Sequence, residues 1–271
     1  QVIAAYSRDF ISYSKGSDIV IMGGGPLMDL DELALPLISF KLAKENNNKS
    51  IVYGCGLGPL TQERFIQAVK DILNLADVIK LRDVQSVDLA KSWLKSTKEV
   101  ILNGDPAKGY LEKIQNSLPE NNHKSNVIRC FLRDWTHEYS RNLSVEEFNV
   151  LKLDFELAIA NYIKFKAEEL NVDEVILEHM HNFVIGNDDR DFSRYFIQKY
   201  FSDYDKVKIS YNKRLSTVDS VASSMLDAKH NISMRFHSVV FAHGLGTDFT
   251  AIDYTRGGKI SNYLNDSEAT E

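Results

Sequence analysis

Short apolar runs rich in β-branched residues alternate along this chain with longer stretches whose apolar residues recur at helical spacing. The short runs predict strands at Asp18–Met22, Ser50–Cys55, Val78–Leu81, Glu99–Leu102, Val127–Leu132, Glu174–Leu177, Lys206–Ile209, His230–Ser233 and Phe249–Ile252. The longer stretches predict helices, among them Asp31–Glu45, Gln62–Leu75, Val84–Leu94, Ser144–Leu170, Phe192–Phe201, Val218–Leu226 and Phe236–Gly244. This alternation indicates an α/β fold with parallel sheets covered on both faces.

One polar segment interrupts the alternation. Residues 115–126 read QNSLPENNHKSN, with one proline and almost no apolar residue, which is typical of a linker. We therefore predict an N-terminal domain over 1–115, a linker over 116–126, a C-terminal domain over 127–260 and a tail over 261–271. Two such α/β domains are expected to face a central cleft with the carboxyl ends of their strands. The alternative is one continuous sheet with a surface loop.

Composition narrows the class of partner. The chain has 271 residues and a net charge of -6, so electrostatics provide no general attraction to nucleic acid. No apolar run approaches the ~20 residues that span a bilayer, and no signal peptide is visible. Cys55 and Cys130 lie in separate apolar segments, which favours reduced, buried thiols. These features predict a cytoplasmic protein without a transmembrane segment.

Two predicted strands of the first half run into glycines. The first is followed by Gly23, Gly24 and Gly25, and the second continues into Gly56 and Gly58. Glycines at a strand end let the backbone approach a ligand and present N–H groups to it, whereas a simple tight turn does not require three in succession. No Gly-Lys-Ser/Thr follows and the spacing is not G-x-G-x-x-G, so neither nucleotide motif is present.

Charged residues follow the next two strands. Arg82 is expected to point into the crevice formed by the glycine turns, while Asp83 caps the following helix. The alternative is a cap with a surface salt bridge, which we favour for Asp83. Asp105 is a candidate cap for a helix with Pro106 at its first position.

The chemically most distinctive segment is Ser-Met-Arg-Phe-His at 233–237, where a predicted strand passes into a helix. Such a turn leaves the N–H groups of the helix N-terminus open to a ligand. Arg235 and His237 would add a guanidinium and an imidazole, suited to a small anion and a proton transfer. The alternative is an arginine that holds a loop carbonyl and a histidine packed in the turn, and these residues alone leave both open.

Two more cations follow other strands of the second half. Arg133 suits a carboxylate or phosphate, although a fork to Asp134 or Glu138 explains it equally well. Lys259 follows the last strand on a predicted flexible loop, where a lysine is ordinarily only solvated.

No metal site is predicted. His179 and His181 are two residues apart, and no cysteine or third histidine follows at ligand spacing. Residues 186–191 form an acidic turn before a helix, which capping and the helix dipole explain more simply than a bound cation.

Taken together, these residues resemble the polysaccharide pyruvyl transferase family over about 18–264. The matching elements are Asp18-x-x-Ile21-x-Gly23-Gly24-Gly25, Gly56-Leu57-Gly58-Pro59, Arg82-Asp83-x-x-Ser86, Asp105-x-Ala107, Met234-Arg235-Phe236-His237, and Asp253-Tyr254 followed by Lys259. The resemblance implies two Rossmann-like domains arranged as in GT-B glycosyltransferases. Family members usually begin with a further strand and a Gly-Asn-x-Gly-Asp loop, so a first β-α unit is expected to be missing, or the protein is divergent.

The resemblance also implies transfer of a pyruvyl group from phosphoenolpyruvate onto two hydroxyls of a sugar as a cyclic ketal. Arg133, Arg235 and Lys259 would bind this donor, with His237 and Arg235 as the catalytic residues. The residues expected at the acceptor are Gly23, Gly24, Gly25, Gly56, Gly58 and Arg82. The acceptor would be a lipid-linked, nucleotide-linked or polymeric glycan of the cell surface, met in the cytoplasm or at the inner face of the membrane. No cofactor or metal is expected.

Two other functions remain open from the sequence. One is a GT-B-type glycosyltransferase with a nucleotide-sugar donor, for which Glu178 is a candidate ribose ligand. The other is a non-catalytic glycan-binding or scaffold protein. Sugar binding usually favours an aromatic platform, and Trp93 and Trp135 form no evident one.

Overall fold

The computed structural model describes residues 7–58, 60–117, 124–140, 143–182, 187–254 and 258–268. It consists of two compact units, the first ending at Pro106 and the second beginning at Ala107. Both units alternate helices with parallel strands, which confirms the predicted α/β class. Of the helices in these residues, none combines the length and apolar character needed to cross a bilayer.

The first unit holds a parallel sheet in the order β1-β3-β4-β5, with the short β2 added beside the end of β3. Its elements are α1 (Arg8–Gly16), β1 (Ile19–Gly23), β2 (Pro26–Leu27), α2 (Ala34–Glu45), β3 (Lys49–Leu57), α3 (Glu63–Leu75), β4 (Val78–Leu81), α4 (Val84–Trp93) and β5 (Ile101–Leu102). A 3-10 turn at Asp31–Leu33 leads into α2.

The helices between these strands lie on one face of the sheet. The main strand order follows the chain order, so right-handed crossovers all place their helices on the same side. The buried residues of α3, Phe65, Val69, Ile72 and Leu73, recur at helical spacing and pack on that side. Ile19, Ile21 and Tyr53 share the opposite face and are exposed. This differs from the prediction of a sheet covered on both faces.

The second unit holds a five-stranded parallel sheet in the order β10-β9-β6-β7-β8. Its elements are α5 (Ala107–Ser117), β6 (Ser125–Phe131), α6 (Val145–Glu169), β7 (Glu174–Leu177), α7 (Asp189–Tyr200), β8 (Lys208–Tyr211), α8 (Val218–Asp227), β9 (Ala228–Ser233), α9 (Phe236–Gly244), β10 (Phe249–Ala251) and α10 (Lys259–Glu268).

The strand order reverses direction at β6. The chain proceeds from β6 through β7 to β8 on one side, and then returns to place β9 and β10 on the other. In open α/β sheets, ligands bind in the crevice outside the carboxyl ends of the strands at such a reversal. Residues 132–134 follow β6 and residues 234–237 follow β9, so both segments lie at this point.

Helix α5 belongs to the second unit. Its Leu111 and Ile114 pack in a cluster with Val221 of α8 and Phe241 of α9. The predicted first domain ended at residue 115, whereas the structure separates the units after Pro106. The sequence shows the apolar stripe of α5 but not which core covers it. The predicted linker over 116–126 contains the ends of α5 and β6, and residues 118–123 lie outside the described residues.

Other boundaries differ where tertiary contacts determine them. Strand β8 begins at Lys208, two residues after the prediction, because Lys208 pairs with Glu174 of β7. Helix α7 begins at Asp189, three residues before the prediction, because Asp188 caps it. The predicted tail at 261–271 contains most of α10. The capping box predicted at Ser144 and Glu147 is confirmed at the start of α6.

Candidate functional site

The turn after β9 is fastened to the end of β6. The carbonyl oxygen of Phe131 accepts hydrogen bonds from the backbone N–H groups of Met234 (3.0 Å) and Arg235 (3.2 Å). Phe131 and Ser233 are paired in register, so Arg133 and Arg235 each follow this pair by two residues. The two arginines predicted to bind the donor therefore leave adjacent strands at the reversal of the sheet.

Arg235 is held by a buried carboxylate. It is the N-cap residue of α9, but its side chain caps no backbone group and turns to Asp189. Its Nε lies 3.1 Å from each carboxylate oxygen of Asp189, and its Nη2 also donates to Oδ1. The side chain of Asp189 is 0% exposed and that of Arg235 is 16% exposed. The arginine binds a carboxylate rather than the loop carbonyl of the alternative interpretation.

Asp189 comes from the acidic turn that the sequence assigned to capping. Asp188 does cap α7, since its side chain accepts the backbone N–H of Arg190 at 2.9 Å. Hydrogen bonds from the Arg190 side chain lower the pKa of Asp188 to about 2. Asp189 turns inward instead, and sequence reasoning missed it because its partner lies 46 residues away.

Phe236 contacts both His237 and Lys259 at the start of α9. The rings of Phe236 and His237 lie 5.4 Å apart, and Nζ of Lys259 lies 4.2 Å from the Phe236 ring centroid. This distance fits a cation–π contact. His237 is exposed at the second position of α9.

The sequence predicted that Lys259 lies on a flexible loop. In the structure it is the first residue of α10. Asp253 fixes this helix start by accepting hydrogen bonds from the backbone N–H (3.0 Å) and hydroxyl (2.6 Å) of Ser261. The N-terminus of α10 therefore places this lysine against Phe236.

Arg133 is positioned by a tyrosine. Its Nη1 donates to the hydroxyl of Tyr254 at 2.9 Å, and its guanidinium lies 5.2 Å from the centroid of that ring. Tyr254 is 8% exposed. Asp134 contributes only its carbonyl oxygen to Arg133, at 3.2 Å, since its carboxylate binds Lys152 and the Asn187 amide. The side chain of Glu138, the other predicted fork partner, lies outside the described residues.

In the first unit, the two glycine turns are joined. The backbone N–H of Gly56 donates to the carbonyl of Gly25 at 3.3 Å, next to the β2–β3 pairing. Gly24 and Gly25 both have a φ of +69°, and residues 23–25 are exposed, so a Cβ at any of them would meet no atom of the described residues within 4 Å. These turns present backbone rather than side chains.

The Arg82 side chain is buried beside the Gly56 turn. Its side chain is 5% exposed and lies between Asp83 (3.5 Å) and Asp105 (3.8 Å). A Cβ at Gly56 would lie 2.4 Å from Nη2 of Arg82, so the glycine provides the space that this guanidinium occupies. The cap predicted at Asp83 is confirmed, since it accepts the N–H of Ser86 at 2.8 Å. This placement favours a supporting role for Arg82, whose direct contact with an acceptor stays a prediction.

His179 and Glu178 are buried at the end of β7. His179 is 2% exposed, and neither ring nitrogen has a hydrogen-bond partner among the residues that the structure describes. Burial, reinforced by the charge of Arg190, lowers the pKa of His179, which favours the neutral imidazole. The carboxylate of Glu178 accepts hydrogen bonds from Arg129 and from the Asn212 amide (2.8 Å). It is therefore already engaged by side chains of the protein itself. Within the described ranges, no three metal-binding side chains group together.

Both cysteines are free and buried, as expected. Burial raises the pKa of Cys55 to about 11, and burial followed by the charge of Glu178 raises the pKa of Cys130. Both thiols are therefore protonated at neutral pH, and neither is suited to act as a nucleophile.

Sequence reasoning placed the cations at the correct edge of the sheet but missed the residues that hold them. Phe236 and Tyr254 lie within the family motifs, next to residues that were assigned functions. That position was the only sequence signal that could have pointed to them. Asp189 had no such signal beyond its place in an acidic turn. All three act through packing or pairing that forms only when the strands assemble.

A known protein family matches this chain. The sequence model of the family described as "Polysaccharide pyruvyl transferase" matches residues 2–256, nearly the whole chain. No curated protein matches the chain. The match spans both units, including the glycine turns, Arg133, Arg235 and His237, and ends before Lys259. The chain therefore belongs to the polysaccharide pyruvyl transferase family and is a transferase.

Proposed function

We propose that this transferase uses phosphoenolpyruvate as its donor and attaches the pyruvyl group to two hydroxyls of a sugar as a cyclic ketal. The observation that carries the proposal is the cluster at the reversal of the second sheet. There Arg235 and His237 stand at the start of α9, Lys259 stacks on Phe236, and Arg133 leaves the adjacent strand.

Phosphoenolpyruvate carries a carboxylate and a phosphate on a three-carbon frame, so its site needs several cations. Arginines suit such groups because their donors match two oxygens at once. Tyr254 and Asp189 hold Arg133 and Arg235 in place, and Phe236 holds Lys259. Preorganised cations of this kind stabilise the charge that develops on the leaving phosphate.

In the proposed reaction, His237 donates a proton to the methylene carbon of phosphoenolpyruvate, and C2 becomes cationic. A sugar hydroxyl then bonds to C2 and returns its proton to the imidazole, which can exchange protons near neutral pH. A second hydroxyl bonds to C2 while the bond from C2 to the phosphate oxygen breaks, and its proton leaves with the phosphate. One donor and two hydroxyls thus yield a ketal and inorganic phosphate, with no redox change.

For the acceptor, we propose the glycine turns of the first unit. Gly23, Gly24 and Gly25 are exposed and present backbone to a sugar, and Gly56 and Gly58 continue the same edge. Arg82 would support this edge from behind. The acceptor would belong to a cell-surface polysaccharide or its precursor, and the donor places the reaction in the cytoplasm.

The direct test is calorimetric binding of phosphoenolpyruvate, followed by phosphate release and NMR detection of a ketal with a panel of sugar acceptors. We expect wild-type protein to bind the donor, and His237→Gln to bind it but release no phosphate. His243→Gln is the matched control, since His243 lies at the other end of α9 and contacts Tyr263. It should retain turnover. Binding of a nucleotide sugar in place of phosphoenolpyruvate would contradict the proposal and favour glycosyl transfer.

A further inference from the structure

The buried carboxylate of Asp189 has more contacts than a surface ion pair requires. Its Oδ2 accepts the backbone N–H groups of Met180 (3.1 Å) and His181 (3.0 Å), in addition to the Arg235 side chain. The N–H of Asp189 in turn donates to the carbonyl of His181 at 3.0 Å. Asp189 therefore joins the start of α7, the segment after β7 and the turn after β9 at one point.

This junction extends across the end of β6. Strand β6 lies between β7 and β9, so a bond from the β7 side to Arg235 passes the point where the chain leaves β6 toward Arg133. The ion pair is therefore part of the reversal of the sheet, where the donor is proposed to bind.

The pairing uses only part of the guanidinium. Asp189 engages Nε and Nη2, and no residue in the described part of the chain accepts a hydrogen bond from Nη1. The Arg235 side chain keeps 16% of its surface exposed. A guanidinium gripped along one edge retains a second set of donors for an anionic ligand.

We propose that Asp189 is the positioning residue of the donor site: it orients Arg235 so that the remaining guanidinium donors face phosphoenolpyruvate. This inference rests on the proposed function. An uncharged amide at 189 would direct its NH₂ group at donors that are already present, either the guanidinium or the N–H groups of Met180 and His181. Arg235 would then lose its fixed orientation, and small misplacements of this kind cost up to about 10²-fold in rate.

The test is a double-mutant cycle on phosphoenolpyruvate affinity and on kcat/KM, with Asp189→Asn placed in the wild-type and Arg235→Gln backgrounds. In wild type, we expect Asp189→Asn to raise the Kd of phosphoenolpyruvate about tenfold or more. In the Arg235→Gln background, it should cause no further increase, because the residue acts through Arg235. An equal effect in both backgrounds, or no effect in wild type, overturns the inference.

A matched control separates positioning from loss of stability. Glu156→Gln neutralises another buried carboxylate of this unit, which binds the hydroxyls of Tyr195 (3.1 Å) and Tyr200 (2.9 Å). It should lower the melting temperature and leave the Kd of phosphoenolpyruvate unchanged. If Asp189→Asn does not fold, Asp189→Glu takes its place, since it keeps the charge but displaces the guanidinium. An equal effect of Asp189→Glu in both backgrounds, or no effect in wild type, then overturns the inference.

Failure of the two ideas can be told apart. Wild-type protein that binds no phosphoenolpyruvate contradicts the proposed function, and the inference with it. Wild-type binding that Asp189→Asn or its replacement leaves unchanged contradicts the inference alone.

Discussion

Arg82 of the first unit and Arg235 of the second stand in equivalent places, each soon after a parallel strand and just before a helix. Their surroundings differ. Arg82 lies between two carboxylates and is 5% exposed, in space that Gly56 leaves open. Arg235 faces one carboxylate along one edge and is 16% exposed. The same residue type thus supports a backbone turn in one unit and presents charge in the other.

The two arginines differ because the carboxyl edges of the two sheets present different chemical groups. The first edge carries three exposed glycines, Gly23–Gly25, whose turns show backbone at the surface, and its arginine is buried beside Gly56. The second carries cations, each held by a neighbour of a different kind: a carboxylate, a phenol and a phenyl ring. Backbone suits hydroxyls of a sugar, and cations suit a small dianionic or trianionic donor.

The largest expected effect separates the two arginines. Arg235→Lys keeps a charge beside Asp189 but loses the bidentate fork, and we expect kcat/KM for phosphoenolpyruvate to fall about 10²–10³-fold. Arg82→Lys should leave the Kd of phosphoenolpyruvate unchanged and lower the urea midpoint of the first unit. Steady-state kinetics, calorimetry and urea unfolding measure these effects. If Arg235→Lys and Arg82→Lys lost donor affinity equally, the two arginines would not have different roles.

A second pair of variants tests how closely the glycine turns of the first unit are packed. Gly54 has a φ of +64°, and a Cβ there would lie 2.0 Å from Cγ of Pro106, so Gly54→Ala combines backbone strain with a clash. We expect its free energy of unfolding to fall by about 3 kcal/mol. Gly24→Ala has a similar φ of +69° but open space around the Cβ, and should cost about 1 kcal/mol. Urea unfolding that ranks the two equally would contradict this account.

The smallest expected effect on donor binding concerns Lys259. Lys259→Met keeps an aliphatic chain over Phe236 and removes the charge, so the Kd of phosphoenolpyruvate should rise about tenfold. Lys199→Met is the control, since Lys199 also stacks on an aromatic ring, that of Tyr195 at 5.0 Å, on helix α7. Calorimetry that finds the same Kd in wild type and Lys259→Met would leave Lys259 as a packing residue only.

Local patterns were enough to predict most elements. Strand β7 at Glu174–Leu177 and helix α9 at Phe236–Gly244 have the predicted bounds, and the caps at Ser144 and Asp83 were read from single side chains. These features depend on hydrophobic periodicity and on side chain to backbone bonds within a few residues. Helices α1 and α10 were not predicted.

The sequence by itself determined the α/β class and the sheet edge where Arg133, Arg235 and His237 lie, because parallel strands bring all their carboxyl ends to one edge. Tertiary structure decided which unit α5 joins and which arginine is enclosed. It also supplied Asp189, Tyr254 and Phe236 as supports. The physical reason is the sequence distance over which each interaction acts. Hydrophobic periodicity and helix caps involve residues a few positions apart, whereas Asp189 and Arg235 are 46 residues apart and meet only when the sheet has assembled.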